Sequence, residues 1–97
     1  MSKVNLTIVA TVNPNGMKEL AFYKEHVAKL YEKVDAKPVS KYTVSDSLIG
    51  DYKPTMVAIM EFADRSSLHS VFDSEEYKKL LPYRDQAFSK LEAYISE

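Results

Sequence analysis

The chain has 97 residues and a formal net charge of −1, and it contains no cysteine and only two glycines. It lacks the basic stripe with which nucleic-acid-binding proteins neutralise phosphates. Without cysteine it can form no disulfide and no thiolate catalyst or metal site, and two glycines cannot build a glycine-rich phosphate loop. The apolar share of 45% is typical of a globular protein, so residues 1–97 are predicted to fold as one domain.

The N-terminal stretch MSKVNLTIVATVNPNG contains a short apolar run that Asn5, Thr7 and Thr11 interrupt. It lacks the continuous apolar core and the small-residue cleavage site of a signal peptide. Nowhere does the sequence approach the roughly 20 consecutive apolar residues of a membrane span. We therefore expect a cytoplasmic protein with no membrane partner.

The first half of the chain predicts a strand, a helix and a weaker strand. The first strand alternates with period two, and its apolar face contains Val4, Leu6, Ile8, Ala10 and Val12. A turn over residues 13–16 ends this strand. Apolar residues at spacings of three and four then predict a helix from Met17 to Val34, which cannot continue through Pro38. The second strand is predicted over Val39–Leu48, where the alternation is soft, as in an edge strand.

The second half predicts a strand, an interrupted helix and a last strand. Met56–Phe62 is apolar on both faces, which is typical of a central strand. Asp64 stands where an N-cap belongs, so a second helix is predicted to begin after it. Ser74 is expected to restart this helix and Pro82 to break it. Renewed alternation predicts the last strand from Phe88 to Ile95.

The order of these elements is strand, helix, strand, strand, helix, strand. Both crossovers are long enough to contain a helix, so each can form a right-handed βαβ unit. Two interleaved units predict an α+β protein of the ferredoxin-like βαββαβ type. Its sheet is expected to have four antiparallel strands, with both helices on one face.

Two helices cover only one face of such a sheet. Within the predicted central strand, Val57 and Ile59 point to one face, and Met56, Ala58, Met60 and Phe62 point to the other. An uncovered apolar patch of this kind marks an interface, and an identical chain would cover it economically. We therefore predict a homodimer. The alternatives are a tolerated apolar surface or cover from the loop of residues 45–53.

The second half of the chain resembles a known family. The run MVAIMEF is followed by Asp64, then by FDSEEY over residues 72–77 and LLPYR over residues 80–84. This order is similar to that of family 1330 of the domains of unknown function, which belongs to the dimeric α/β-barrel superfamily. The resemblance implies two ferredoxin-like chains whose sheets pack together with the helices outside. Superfamily members include cofactor-free monooxygenases of aromatic substrates, haem enzymes and isomerases, so the fold predicts little about the reaction.

The chain departs from the family's pattern at two places. The family often has a Gly-Gly pair before its second strand, where this chain has Asp35 and Ala36. It often has Arg-Gly-Gly within that strand, where this chain has Lys41, Tyr42 and Thr43. The positive charge is thus kept at Lys41, whereas the flexibility of the glycines is lost.

The two histidines predict no metal site. His26 and His69 lack the spacing of a metal-binding pair, and no cysteine can join them. No motif for an organic cofactor is present, so none is predicted. Asp73 follows His69 by four residues, and the two could act as a catalytic acid–base pair on one helical face. The alternative is that Asp73 bonds free backbone groups at a helix break. His26 is expected to be a partly exposed helix residue.

A few aromatic and basic residues could form a ligand site. Rings from several elements could line a pocket for a flat molecule, namely those of Tyr31, Tyr42, Tyr77 and Tyr83. Lys41 and Arg84 could hold an anionic group of that molecule, although isolated surface cations are common.

These residues favour a homodimer that binds a small molecule, including a cofactor-free enzyme acting on an aromatic or enolisable compound. The alternative function is a non-catalytic dimeric interaction or regulatory module. Convergence of His69, Asp73 and several tyrosines on one cavity would favour the enzyme, whereas a solid core would favour the module.

Overall fold

The computed structural model describes residues 3–97. Its four strands are β1 (Val4–Val12), β2 (Lys37–Thr43), β3 (Met56–Phe62) and β4 (Phe88–Ser96), and its helices are α1 (Met17–Lys33), α2 (Arg65–Phe72), α3 (Glu75–Lys78) and α4 (Leu81–Ala87). The strands form one antiparallel sheet in the order β2–β3–β1–β4. This confirms the predicted α+β βαββαβ fold. Among the residues described, no helix has both the length and the apolarity that crossing a membrane requires.

The strand register separates the two faces of the sheet. Leu6 of β1 lies opposite Met60 of β3 and Ile95 of β4. Directly opposed residues share a face, and all three contact the core beneath the helices. Val9 lies opposite Val57 and therefore belongs to the other face, which no helix covers. In the pairing of β1 with β4, Asn5 lies opposite Ser96, so both ends of the described chain are side by side.

The core is concentrated where β1 begins and β3 ends. Phe62 and Val4 are the largest fully buried side chains. The buried residues of the helices pack on them, namely Tyr23, Val27 and Leu30 of α1, Leu68 and Val71 of α2, Tyr77 of α3, and Leu80 between α3 and α4. The apolar stripe predicted for α1 is thus the face that it buries.

Polar caps begin the first two helices of the second crossover. A carboxylate oxygen of Asp64 accepts a hydrogen bond of 2.7 Å from the backbone N–H of Ser67, at the start of α2. The hydroxyl oxygen of Ser74 accepts one of 3.1 Å from the N–H of Tyr77, which begins α3. Both caps satisfy backbone donors that a helix cannot pair internally, and both agree with the prediction.

The second strand is present as predicted, but its predicted bounds and the predicted helix break at Pro82 were wrong. β2 spans Lys37–Thr43 rather than Val39–Leu48, because Pro38 is tolerated at an irregular position of this edge strand. After Thr43 the chain leaves the sheet for the loop of residues 44–55. Pro82 does not end the helical region but lies in the first turn of α4, where its missing N–H would have no partner in any case.

Asp35 forms the turn that ends α1. Its φ of 56° lies in the left-handed region, which glycine favours and aspartate tolerates. The N–H of Asp35 donates to the carbonyl of Glu32, and the N–H of Ala36 donates to that of Tyr31. This pair of bonds is the Schellman motif, and its left-handed position falls where the resembling family often has glycine.

Gly16 marks a close contact between the two crossovers. A Cβ at this position would lie 1.9 Å from the carbonyl oxygen of Gln86. The side-chain amide of Asn13 donates to the same carbonyl at 3.0 Å, and the N–H of Asn13 donates to Ala87 at 2.9 Å. The junction between β1 and α1 is therefore fastened to the junction between α4 and β4.

Candidate functional site

A cleft of about 820 Å³ lies between α1 and the helix-facing side of the sheet. Its floor includes one row across all four strands, in which Lys41 lies opposite Ala58, Ala58 opposite Ile8, and Ile8 opposite Ala93. Two of these four side chains are single methyl groups, so the space beneath α1 is not filled. Ala93 is exposed although it lies on the helix-facing side, which shows that the cleft opens to solvent.

Helix α1 forms the roof of the cleft. It contributes side chains at spacings of three and four, namely Leu20, Tyr23, Lys24, Val27, Ala28 and Tyr31. These spacings place them along adjacent rows of one helical surface. The roof is therefore apolar and aromatic, and Lys24 is its one cation.

Aromatic rings from the second crossover and β4 line the cleft beside α1. The ring centroids of Phe72 and Tyr77 lie 4.9 Å apart, and those of Tyr23 and Phe88 lie 5.7 Å apart, both in edge-on geometry. Such pairs hold the rings in fixed positions. The cleft thus offers rigid aromatic walls to a flat apolar molecule.

A short hydrogen-bonded chain runs along this wall. The hydroxyl oxygens of Tyr23 and Tyr77 lie 2.8 Å apart, and Arg84 Nη1 donates to the Tyr77 hydroxyl at 3.3 Å. Burial, reinforced by Tyr77, raises the pKa of Tyr23 far above its ordinary value, so its hydroxyl stays protonated. One of the two hydroxyls donates its proton in the hydrogen bond between them. The O–H of the other hydroxyl is then free to donate to a ligand.

Two lysines lie close together at the open edge of the cleft. Lys24 comes from α1 and Lys41 from β2, and both are exposed. The charge of Lys41 lowers the pKa of Lys24 below its ordinary value, with a smaller contribution from burial. Within residues 3–97, no carboxylate lies within ion-pair distance of either lysine.

The structure brings three of the six predicted site residues to the cleft, namely Lys41, Tyr77 and Arg84. Tyr42 lies opposite Val57 on the other face of the sheet and is 61% exposed. Of the further tyrosines considered from the sequence, Tyr31 lines the cleft. Tyr83 does not, since its ring stacks on Phe22 at the outer surface.

His69 and Asp73 meet each other but lie outside the cleft. His69 Nδ1 is 3.8 Å from an Asp73 carboxylate oxygen, and their side chains are 52% and 76% exposed. Neither residue lines the cleft, so their catalytic role stays a prediction. His26 packs on Phe22 and its Nδ1 lies 2.9 Å from the carbonyl oxygen of that residue. In the described part of the chain, no three histidine or acidic side chains converge to hold a metal ion.

Tyr23 and Lys24 were missed by sequence reasoning. The helical spacing of Tyr23 is the same whether its ring fills a core or borders a cleft. Lys24 lies at the edge of the same stripe and has the pattern of any solvated helix lysine. No signal in the sequence could have found it, because only the tertiary fold sets its place above the sheet.

The uncovered face of the sheet has an apolar centre. Val9, Val57 and Ile59 are half-buried there, although no helix lies over them. Tyr52 from the loop of residues 44–55 reaches this face at one end, where its hydroxyl bonds that of Thr11 and its ring lies beneath Lys90. The loop therefore leaves the centre of this face uncovered.

The fold and the cleft together define an α+β ferredoxin-like protein with a gap of ligand size between its first helix and its sheet. The model of the family described as "Domain of unknown function (DUF1330)" matches residues 7–96, and the chain belongs to this family. No curated protein matches the chain.

Several solved structures share the fold. The RPA0582 protein of unknown function from Rhodopseudomonas palustris is 16% identical, with a TM-score of 0.87 over 97% of this chain and 80% of that one. A dimeric protein of unknown function and ferredoxin-like fold from Bacteroides fragilis is 10% identical, with a TM-score of 0.63 over 98% and 95%. SnoaB, a cofactor-independent oxygenase from Streptomyces nogalater, is 11% identical, with a TM-score of 0.68 over 100% and 93%. At these identities the likeness shows the fold alone.

Proposed function

We propose that the protein is a homodimer that binds a small, mainly apolar molecule in the cleft between α1 and the sheet. The observation that supports this most strongly is the cleft itself, whose volume of about 820 Å³ lies within the range of small-molecule sites. A purely structural domain would gain stability by filling this space with larger side chains than Ala58 and Ala93.

The finer version of this proposal is a cofactor-free enzyme acting on an aromatic or enolisable compound. Tyr23 and Tyr77 support it, because their spare hydroxyl proton could bond a substrate oxygen on which negative charge develops. The positive charge of Arg84 reinforces that donor through Tyr77. Asp85 is the carboxylate in the lining and a candidate base, 3.8 Å from Arg84 Nε. SnoaB, which shares the fold, is described as a cofactor-independent oxygenase.

The homodimer would form through the uncovered face of the sheet. Its centre is apolar, at Val9, Val57 and Ile59, and its rim includes the ion pair of Lys3 with Glu61 at 3.4 Å. An apolar centre within a charged rim is the usual anatomy of an interface. The neighbour from Bacteroides fragilis is described as dimeric, and two copies related by a two-fold axis would cover each other's faces.

One observation favours the alternative of a non-catalytic interaction module. Leu48 and Ile49, at the tip of the loop of residues 44–55, are 96% and 90% exposed. Adjacent large apolar residues at an exposed loop tip are typical of a protein contact. A partner protein could bind there without any ligand or reaction in the cleft.

Filling the cleft tests the leading proposal. Ala58→Leu adds three carbon atoms to the floor, and Ala63→Leu makes the same change at an exposed position outside the lining. With the neutral fluorescent probe N-phenyl-1-naphthylamine, we expect saturable binding to the wild type and to Ala63→Leu, and loss of binding in Ala58→Leu. Equal binding by all three proteins, or by none, would reject the cleft as the site.

A further inference from the structure

The lysines at the mouth of the cleft are placed there by two different elements. Lys24 lies on α1, one turn before Ala28, and Lys41 lies on the edge strand β2, opposite Ala58. Both alanines leave open space next to the lysines. The two lysines therefore border the same opening, one from the helix above it and one from the edge of the sheet below it.

This arrangement leaves two like charges uncompensated. Lysine side chains are long enough to turn away from each other into water, yet Lys41 affects the titration of Lys24 more than burial does. No carboxylate of residues 3–97 pairs with either one. An anion between them would replace a repulsion with two attractions.

The other charged groups that line the cleft already have partners. Arg84 donates to Tyr77 and lies 3.8 Å from Asp85. Lys90 is also in the lining, but its ammonium group lies on the uncovered face of the sheet, over the ring of Tyr52 and 4.0 Å from Glu92. Lys24 and Lys41 are thus the cations of the lining that remain available to a ligand.

We infer that the natural ligand is an organic acid, whose apolar body lies in the cleft and whose anionic group is held at the mouth by Lys24 and Lys41. This inference rests on the proposed function, since it names the class of molecule that the same cleft binds. The body would pack on Ile8, Met60 and Tyr31. The anion would stay at the exposed edge, where it keeps part of its hydration and its desolvation cost is small.

Two matched fluorescent probes test the charge of the ligand. 8-Anilinonaphthalene-1-sulfonate and N-phenyl-1-naphthylamine share their aromatic body, but only the first has an anionic group. We expect the wild type to bind the sulfonate more than about tenfold more tightly than the neutral probe, because each of the two lysines should add one charge-assisted contact of about that size. Ala58→Leu should abolish the binding of both, which locates them in the cleft.

Substitution of the lysines identifies the contact. Lys24→Gln and Lys41→Gln should each lower the affinity for the sulfonate about tenfold and leave the affinity for the neutral probe unchanged. Lys41→Arg should retain the affinity for the sulfonate. Lys18→Gln, also on α1 but outside the lining, is the control for a change in net charge. Melting temperatures equal to that of the wild type would show that the variants are folded.

The outcomes separate this inference from the proposal on which it rests. Equal affinity for both probes, with no effect of either lysine variant, would overturn the inference and leave the cleft as a binding site. Failure of both probes would overturn the proposed function itself. Displacement of the sulfonate by sodium sulfate, but not by sodium chloride at the same ionic strength, would indicate an inorganic anion site and also overturn the inference.

Discussion

The two faces of the sheet are both apolar at the centre, but they are incomplete in different ways. On the helix-facing side, Ala58 and Ala93 leave a deep gap beneath α1 that holds about 820 Å³. On the other side, Val57 and Ile59 form a broad surface with nothing above its centre. A deep gap suits a small molecule and a broad surface suits another protein. Depth, rather than apolarity, therefore distinguishes the two kinds of site.

A charge on the uncovered face should give the largest effect. Ile59→Asp would bury an unpaired carboxylate in each copy of the proposed dimer, which costs several kcal/mol and weakens association by about a thousandfold or more. Light scattering should give about twice the chain mass of 11.1 kDa for the wild type, and 11.1 kDa for the variant. Ala93→Asp places the same charge on the opposite face and should leave the mass at that of a dimer. A monomeric wild type, or equal masses for both variants, would mean that the two faces do not differ as described.

Truncation of Phe72 tests how firmly the wall of the cleft is packed. Its ring contacts Tyr77 and Tyr31, with centroids at 4.9 and 6.4 Å, but one side faces the cleft. Phe72→Ala should therefore lower the free energy of unfolding by about 3 kcal/mol, the lower end for buried aromatic residues. Denaturant unfolding measures this loss, and Phe22→Ala, at a position 36% exposed, is a control that should lose much less. If Phe72→Ala melts within a degree or two of the wild type, the ring does not support the wall.

Alkaline pH should lower the free energy of unfolding through Tyr23, which lies on the helix-facing side of the sheet. Burial raises the pKa of Tyr23 above its ordinary 10.0, so the unfolded chain loses this proton at a lower pH than the folded one. The contribution of protonated Tyr23 to the free energy of unfolding is fully present below pH 10. Above pH 10 it falls by about 1.4 kcal/mol per pH unit, until the folded protein also loses the proton. Unfolding free energies measured from pH 8 to 11 should show this slope. Tyr23→Phe should reduce the slope, whereas Tyr42→Phe, on the other face and 61% exposed, should change it little.

The smallest effect is expected at His69. Because its side chain is 52% exposed and outside the cleft, His69→Ala should change stability by no more than about 0.5 kcal/mol, as surface substitutions do. Probe binding in the cleft should also be unchanged. Weaker binding at unaltered stability would show that the predicted acid–base pair with Asp73 reaches the ligand, and the chemistry would then extend beyond the cleft.

The regular parts of the fold were predictable because their patterns are local. Alternation located β1 and β4, a continuous apolar run located β3, and the short polar caps located the starts of α2 and α3. β2 was misplaced because an edge strand has only one pairing partner and its sequence alternates weakly. α4 was missed because proline interrupts a helix interior but is accepted in a first turn, and the sequence alone does not show where a new helix begins.

The candidate site was predictable only in part, because it depends on where α1 lies above the sheet. Tyr77 and Arg84 were selected for their chemistry, and the structure joins them by a hydrogen bond. No local pattern encodes that Lys24 comes close to Lys41, since they belong to elements that meet only in the folded protein. The importance of Ala58 is equally hidden, because an alanine makes a gap only when nothing opposite fills it.

The position of β1 beside β4 makes a circular permutation of the chain possible. Because Asn5 lies opposite Ser96, a short glycine-rich linker could join the two ends without disturbing a strand pair. New ends could then be made at Leu48 and Ile49, in the exposed tip of the loop of residues 44–55. Such a circular permutant would begin near β3, end near β2, and encode the same cleft and the same two faces in a different order. The fold is therefore expected not to depend on the point at which the chain begins.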